Sequence, residues 1–378
     1  MTKKRGQNDG TIYQRKDGTW CAQVTIEGKR LTKYSKTKAK CREWLNITLK
    51  QIEDGLSIAG ANATIRDYFT EWLISVKPSL RPKTWAQYEQ ISRTHILPHF
   101  GKLKLKDLRP DQIQSLYNRK HEEGKSTTTI RMIHAVLHRS LNQAVRWGLI
   151  GNNPTDAVNR PKPEKKEMKV LNENQALSFL SVVEGTRYEA LYQLALVTGL
   201  RQGEILGLRW SDLDWSSGQL QIQRQLQRIS GQGKVFTEPK SKAGRRLVVL
   251  GQTTLAKLRF HNDLQHQEQL IAGDRWREND LIFPSTIGTP HEPTTLLRHF
   301  KGDLIKAELP EIRFHDLRHT AATLMLQQGV HPKVVQERLG HSTISLTLDT
   351  YSHVIPSMQE EAAEKMDELL TPVAVRLQ

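Results

Sequence analysis

Hydrophobic and polar positions along the chain follow two periods, and the changes between them predict the elements. The stretch "TIYQRKDGTWCAQVTIEGKRLTKY" (11–34) alternates β-forming with polar residues. Asp17-Gly18 and Glu27-Gly28, both good tight-turn dipeptides, divide it, so it reads as a small three-stranded sheet. From about Thr37 to Glu53 the period lengthens to that of a helix. Cys41, Trp44, Leu45, Leu49 and Ile52 form its apolar face, and Gly55 stops it. "SIAGANAT" (57–64) is a small-residue linker. From Ile65 to about Ala157 the pattern is helical. It is clearest in "TTIRMIHAVLHRSLNQAVRWGLI" (128–150), where Ile130, Ile133, Leu137, Leu141 and Ala144 with Val145 make one stripe. Arg131, His138, Arg139 and Arg146 lie off that stripe, and "NNP" (152–154) predicts its end.

"RPKPEKKEMKV" (160–170) is charged and holds two prolines, as an exposed linker would. Beyond Leu171 the pattern gives helices and one hairpin. In that hairpin "QLQIQRQ" and "RRLVVL" read as strands on either side of "FTEPKSKAG", a lysine-bearing turn. The expected fold is multidomain and mainly α, with small β elements. It comprises a small sheet-plus-helix unit (1–59), an all-helical domain (62–160) and an α+β domain with a C-terminal helix (169–378). In the tail, Met358, Ala362, Met366 and Leu369 share one helical face, suited to docking on a neighbouring copy or on the chain's own domain.

Charge adds a division of labour. The 378 residues carry 56 Lys+Arg against 40 Asp+Glu, a formal net of +16. Residues 1–60 contribute a net of +7 and 61–165 a net of +9, while 166–378 are neutral. A segregated basic half indicates a polyanion-gripping part joined to a part with another task. A small basic sheet can lie in a DNA major groove; a protein-docking module is the plainer reading of the same unit. No apolar run approaches the ~20 residues that a membrane span needs. The basic start lacks the apolar segment of a signal peptide. Two cysteines, Cys21 and Cys41, are too few for a disulfide scaffold. A cytoplasmic protein, nucleoid-associated when bound to DNA, is expected.

Three short stretches carry chemistry. In "RFHDLRHTAATLMLQQG" (313–329), His315 and Arg318 fall at i and i+3, on one face of a helix. Arginine offers a planar fork of donors to phosphate oxygens, and histidine can hold or give a proton near neutral pH. His315 and His319 at i and i+4 also have metal-pair spacing, but Arg318 places a cation beside the second ring. In "LALVTGLRQGEILGLRW" (194–210), Thr198-Gly199 interrupts an apolar helix and puts Arg201 at a turn, with Glu204 three residues on. An arginine among buried apolar elements needs an anion, which Glu204 or a phosphate could supply. In "ERLGHSTISLTLDTYSHV" (337–354), His341 follows Gly340 at a helix end, and Tyr351 comes ten residues later. A phenol with a pKa near 10 becomes a nucleophile only when neighbours stabilise the phenolate or share the transition-state charge. Arginines holding nonbridging oxygens, a lysine protonating the leaving oxygen and a tyrosine attacking phosphorus would form a metal-free phosphodiester site.

"TGLRQGE", "PKSKAGRR", "HDLRHTAAT", "LGHS" and "DTYSHV", in this order and spacing, resemble the tyrosine recombinases, the integrase family of phages and conjugative transposons. The resemblance spans the whole chain. It implies an arm-site DNA-binding domain, a core-site DNA-binding domain and a catalytic domain, in that order. It implies that Arg201, His315 and Arg318 bind and activate the scissile phosphate and that His341 adds a hydrogen bond. Tyr351 would form a 3′-phosphotyrosyl bond. The lysine would be Lys240, which follows the proline, or Lys242, which precedes "AG". His319 is expected to support His315 and Arg318. Strand exchange through a Holliday junction, by a tetramer on double-stranded DNA, needs no cofactor because the phosphotyrosine stores the bond energy. Further partners that the resemblance allows are a directionality factor and a DNA-bending host protein. Two rival activities share these residues: a type IB topoisomerase that only relaxes DNA, and a catalytically silent DNA-binding regulator.

Overall fold

The structure, a computed structural model, describes residues 10–26, 29–53, 63–162, 168–239, 242–351 and 356–370. The chain divides into two compact units, Met1–Lys165 and Lys166–Gln378.

In the first unit, β1 (Thr11–Gln14), β2 (Trp20–Ile26) and β3 (Lys29–Ser35) form an antiparallel meander in which Cys21 faces both Tyr13 and Tyr34 across the strands. Gly18 takes φ +82° in the first turn, which an L side chain rarely adopts. The turn at Glu27-Gly28 lies outside the described residues. Helix α1 (Lys38–Glu53) packs on this sheet. Cys21, Val24, Cys41 and Leu45 are buried between them, and Trp44 and Leu49 are half-buried. The side chain of Ile52 and the stop at Gly55 lie outside the described residues. Both cysteines are free thiols.

The rest of this unit is helical: α2 (Ile65–Val76), α3 (Pro82–Ile91), α4 (Leu97–Phe100), α5 (Pro110–Glu122) and α6 (Thr127–Arg146). Thr64 and Asp67 cap α2 reciprocally, and Ser126 caps α6. Ile65, Tyr68, Phe69 and Trp72 of α2 meet Ile133, Leu137, Leu141 and Ala144 of α6 in one core. The stripe read from the sequence is thus the buried face of α6. The helix ends earlier than "NNP" implies, because Gly148 at φ +66° turns the chain just after Trp147. Asn153 instead ties the following turn back to α6, donating to the carbonyl of His138 at 3.1 Å and to Asn142 at 2.9 Å.

The second unit begins with α7 (Glu173–Val182), α8 (Glu189–Thr198) and the short α9 (Gln202–Ile205). Here the expected single hairpin is a correction. Strands β4 (Leu213–Asp214), β5 (Gln219–Ile222) and β8 (Arg246–Val249) form one antiparallel sheet. A separate hairpin, β6 (Gln225–Ile229) and β7 (Gly233–Thr237), is inserted between β5 and β8. The inserted hairpin packs closely on α9 and the turn after it: a Cβ at Gly203 would stand 2.7 Å from the Leu226 carbonyl, and one at Gly207 3.1 Å from the Gln225 Cα. The chain therefore leaves the first sheet after Ile222 to lie on these glycines. Helices α10 (Gln252–Ala272), α11 (Pro293–Lys306), α12 (Asp316–Gln327), α13 (Pro332–Leu339), α14 (Ile344–Tyr351) and α15 (Pro356–Leu370) complete the unit. A core of Phe179, Tyr192, Leu196, Phe300 and Phe314 binds the helices, and Ala322, Leu326, Val335, Leu339 and Tyr351 form a second, smaller cluster. The architecture is mainly α with small sheets, as the sequence reading expects.

Candidate active site

The turn after α8 sets the site. Gly199 ends that helix in the left-handed region, φ +64°, and a Cβ there would lie 2.4 Å from Leu339 Cδ2. Its carbonyl accepts a 2.9 Å hydrogen bond from Nη1 of Arg318. Two residues on, Arg201 opens α9. Glu204, 2% exposed, accepts from the Arg201 backbone N–H at 3.0 Å and from its Nη1 at 2.7 Å. Burial would raise the Glu204 carboxyl, but Arg246 and Arg201 outweigh it and hold it below the usual carboxylate range. Arg201 keeps two-fifths of its side chain exposed, so it can serve Glu204 and still reach a ligand.

The opening of α12 supplies the next groups. His315 stands just before the helix, which starts at Asp316, so the shared face begins at the helix entrance rather than within a continuous helix. Asp316 is buried at this positive helix end and clamped by the Arg313 side chain and backbone. Arg318 is 3% exposed. Its Nη2 is buried and, among the described residues, has no hydrogen-bond partner. Burial and the neighbouring Arg201 both disfavour its charge. A buried guanidinium with a free donor beside a second cation calls for an anion.

His341 follows Gly340, which closes α13 at φ +67°. Its Nδ1 shares a 2.8 Å hydrogen bond with the Thr347 hydroxyl, leaving Nε2 as the uncommitted ring nitrogen. Desolvation and the charges of Arg318 and Arg201 push His341 down to about 4. The same desolvation, with His319, Arg318 and Arg201 nearby, pushes His315 down to about 4. Both rings are therefore neutral at pH 7, and neutral imidazoles donate one hydrogen each. Tyr351, at the end of α14, is 1% exposed, and its hydroxyl lies 2.9 Å from His319 Nδ1. Burial pushes its phenol up to about 12, against a downward pull from Arg318.

The fold thus brings Arg201, His315, Arg318, His341 and Tyr351 to one site from four separate segments. Lys240 lies outside the described residues. Lys242 begins a single turn at 242–244, and its side chain is likewise not described. The rings of His315 and His319 stand edge to face at 5.2 Å. Among the described residues no group of three His, Cys, Asp or Glu side chains is placed to hold a metal ion.

One residue escaped the sequence reading. Arg246, the first residue of β8, donates to Glu204 at 3.0 Å, to the Arg338 carbonyl at 2.6 Å and to the Gly244 carbonyl at 3.1 Å. It links the lysine-bearing turn, the Arg201 turn and the helix end before His341. Its only sequence signal is an arginine at a position where the strand pattern expects half-burial.

The site thus joins an arginine pair, two neutral histidines and a buried tyrosine, a set of side chains suited to binding a phosphate. Comparison with known proteins agrees. Residues 169–358 match the model described as the phage integrase family, and 64–121 match a phage integrase N-terminal SAM-like domain. The chain is 34% identical to a "Tyrosine recombinase XerC-like" protein of Caldanaerobacter subterraneus, over 90% of this chain and 93% of that one. It is 29% identical to the ICEBs1 integrase of Bacillus subtilis, covering 79% and 81%. Among solved structures, the Tn1549 transposon integrase in complex with transposon right end DNA superposes with a TM-score of 0.68. That match has 22% identity and covers 81% of this chain and 99% of that one. A lambda integrase tetramer bound to a Holliday junction superposes with a TM-score of 0.55 at 19% identity, covering 92% and 97%. The chain belongs to the phage integrase family and is a tyrosine site-specific recombinase.

Proposed function

We propose that this recombinase integrates or excises a mobile element by cutting and rejoining two DNA duplexes, with Tyr351 as its nucleophile. The observation that carries this reading is the buried Nη2 of Arg318, without a hydrogen-bond partner among the described residues, beside Arg201 and close to the tyrosine. The two guanidiniums hold the nonbridging oxygens of the scissile phosphate and stabilise the charge that builds up as phosphorus becomes pentacoordinate. His315 and His341 donate further hydrogen bonds. Tyr351 Oη bonds to phosphorus, the bond to the 5′ oxygen breaks, and Lys240 or Lys242 protonates that oxygen. Reversal with a different 5′ end joins the strands anew.

On this reading residues 1–59 bind arm-type sites, 62–160 bind core sites and 169–378 cut. No helix of the described residues is long and apolar enough to cross a membrane. Strand exchange requires a tetramer on two sites. Ala362, Met366 and Leu369 of α15 are exposed in the single chain, which suits docking of that helix on a neighbour; the Met358 side chain lies outside the described residues. A directionality factor and a DNA-bending host protein would complete the complex. The test is a nicked suicide substrate, which traps the wild type covalently through Tyr351, combined with mixing of two site-bearing plasmids. Tyr351→Phe is expected to bind DNA and form no adduct. An adduct in that variant, or relaxation without recombinants in the wild type, overturns the reading.

A further inference from the structure

Attack by a tyrosine requires that its proton go somewhere, and the structure offers a specific acceptor. Tyr351 Oη has one hydrogen-bond partner among the described residues, His319 Nδ1 at 2.9 Å. The two rings lie 5.9 Å apart, centre to centre, within the site. Among the described residues neither of the other two histidines is hydrogen-bonded to Oη: His341 Nδ1 bonds to the Thr347 hydroxyl, and the ring of His315 stands edge to face against His319.

We propose that His319 is the general base that takes the Tyr351 proton during cleavage and returns it during rejoining. This inference rests on the reading of Tyr351 as the nucleophile. In the step, the Oη proton passes to Nδ1 as the Oη–phosphorus bond forms. The phosphorus–O5′ bond breaks, and O5′ takes its proton from the hairpin lysine. Rejoining runs the same transfers backwards, so no net proton, oxidant or cofactor is consumed. The buried phenol does not ionise unaided at neutral pH, since burial pushes it upward. His319 is able to accept because it is neutral: desolvation, Arg318 and Arg313 lower it, and Asp316 opposes them. Among the described residues, His315, His341 and Tyr351 are the further titratable groups around it. Acceptance at Nδ1 places the ring hydrogen on Nε2.

The decisive experiment uses the full-length protein in single-turnover cleavage of a nicked suicide substrate, with an ordinary phosphate or with sulfur replacing the bridging 5′ oxygen. The variant is His319→Asn, whose side-chain oxygen still accepts a hydrogen bond but cannot carry the proton. At pH 7 a fall of roughly 10²–10⁴-fold is expected, with DNA affinity and thermal midpoint unchanged. The wild-type rate should already be level from pH 7 upward, because His319 is neutral there, whereas the variant's should climb tenfold per pH unit. Sulfur at the leaving position removes the need for the lysine's proton and should leave the His319→Asn defect in place. Should that variant fail to fold, His319→Ala with added imidazole replaces it, and a rate that rises with imidazole base supports the proposal. Wild-type-like rates and pH profile in His319→Asn, full rescue by the sulfur substrate, or no imidazole response overturn it. If the wild type itself forms no adduct, the nucleophile assignment fails first, which separates the two failures.

Discussion

Arg318 shows how much of the chemistry sits in one side chain. Its Nη1 is fixed by the Gly199 carbonyl, and its Nη2 is buried and unpaired among the described residues. A lysine there keeps the charge but loses the two-pronged geometry. Arg318→Lys should therefore lower single-turnover cleavage by about 10²–10³-fold, the usual effect of losing one transition-state donor. Affinity for intact duplex should change little, because the whole excess of positive charge lies in residues 1–165. A gel-shift titration beside the cleavage assay checks both halves; a parallel loss of binding would mean that Arg318 grips the ground state.

At the scale of elements, the site depends on two junctions. The first is the end of α8, where Gly199 turns in the left-handed region and presses against Leu339. Gly199→Ala puts a methyl group into that contact and forces a conformation that costs an L residue about 1–2 kcal/mol. A loss of about 2 kcal/mol in urea unfolding is expected, with a larger fractional loss of cleavage than of DNA binding, because the carbonyl that holds Arg318 shifts. The second junction is Arg246, 7% exposed, paired with Glu204, 2% exposed. Arg246→Met leaves a buried carboxylate with Arg201 as its remaining cation, and breaking such a pair costs about 3–5 kcal/mol. Unfolding curves should show this loss, and adduct formation at a temperature where the variant stays folded should fall at least about tenfold, the effect of 1.4 kcal/mol on the barrier. Stability equal to wild type would show that Arg246 is not the tie between these three segments.

For the whole molecule, charge and chemistry occupy different units. The unit that carries the net +16 lies before residue 166, and the tyrosine lies after it. DNA affinity should fall steeply and linearly on a log–log plot against salt, with a slope near −0.9 per phosphate neutralised. Removing residues 1–61 should flatten that slope and erase protection at one class of sites while leaving core-site cleavage intact. Footprints of the full chain and of 62–378 at several salt concentrations measure this, and identical footprints would rule out a separate arm-binding role for the small sheet.

The sequence by itself determined what depends on local patterning. The stripe from Ile130 to Ala144 is the buried face of a helix because a 3.6-residue period leaves no other way to cover those side chains. The β-formers of 11–34 make the expected meander, and Thr198-Gly199 breaks its helix where expected. The motifs around Arg201, His315, Arg318, His341 and Tyr351 were legible because each carries polar chemistry in otherwise apolar surroundings. Tertiary structure alone decided the rest. The strand after Ile222 changes sheets because Gly203 and Gly207, some twenty residues earlier, open a surface for it. Arg246 joins Glu204 across 42 positions and Arg338 across 92, distances over which no periodicity carries information. The contact between His319 and Tyr351 spans 32 residues. It exists because α12, α13 and α14 pack around Leu326, Val335 and Leu339, and that packing sets where a buried hydroxyl finds its only described partner.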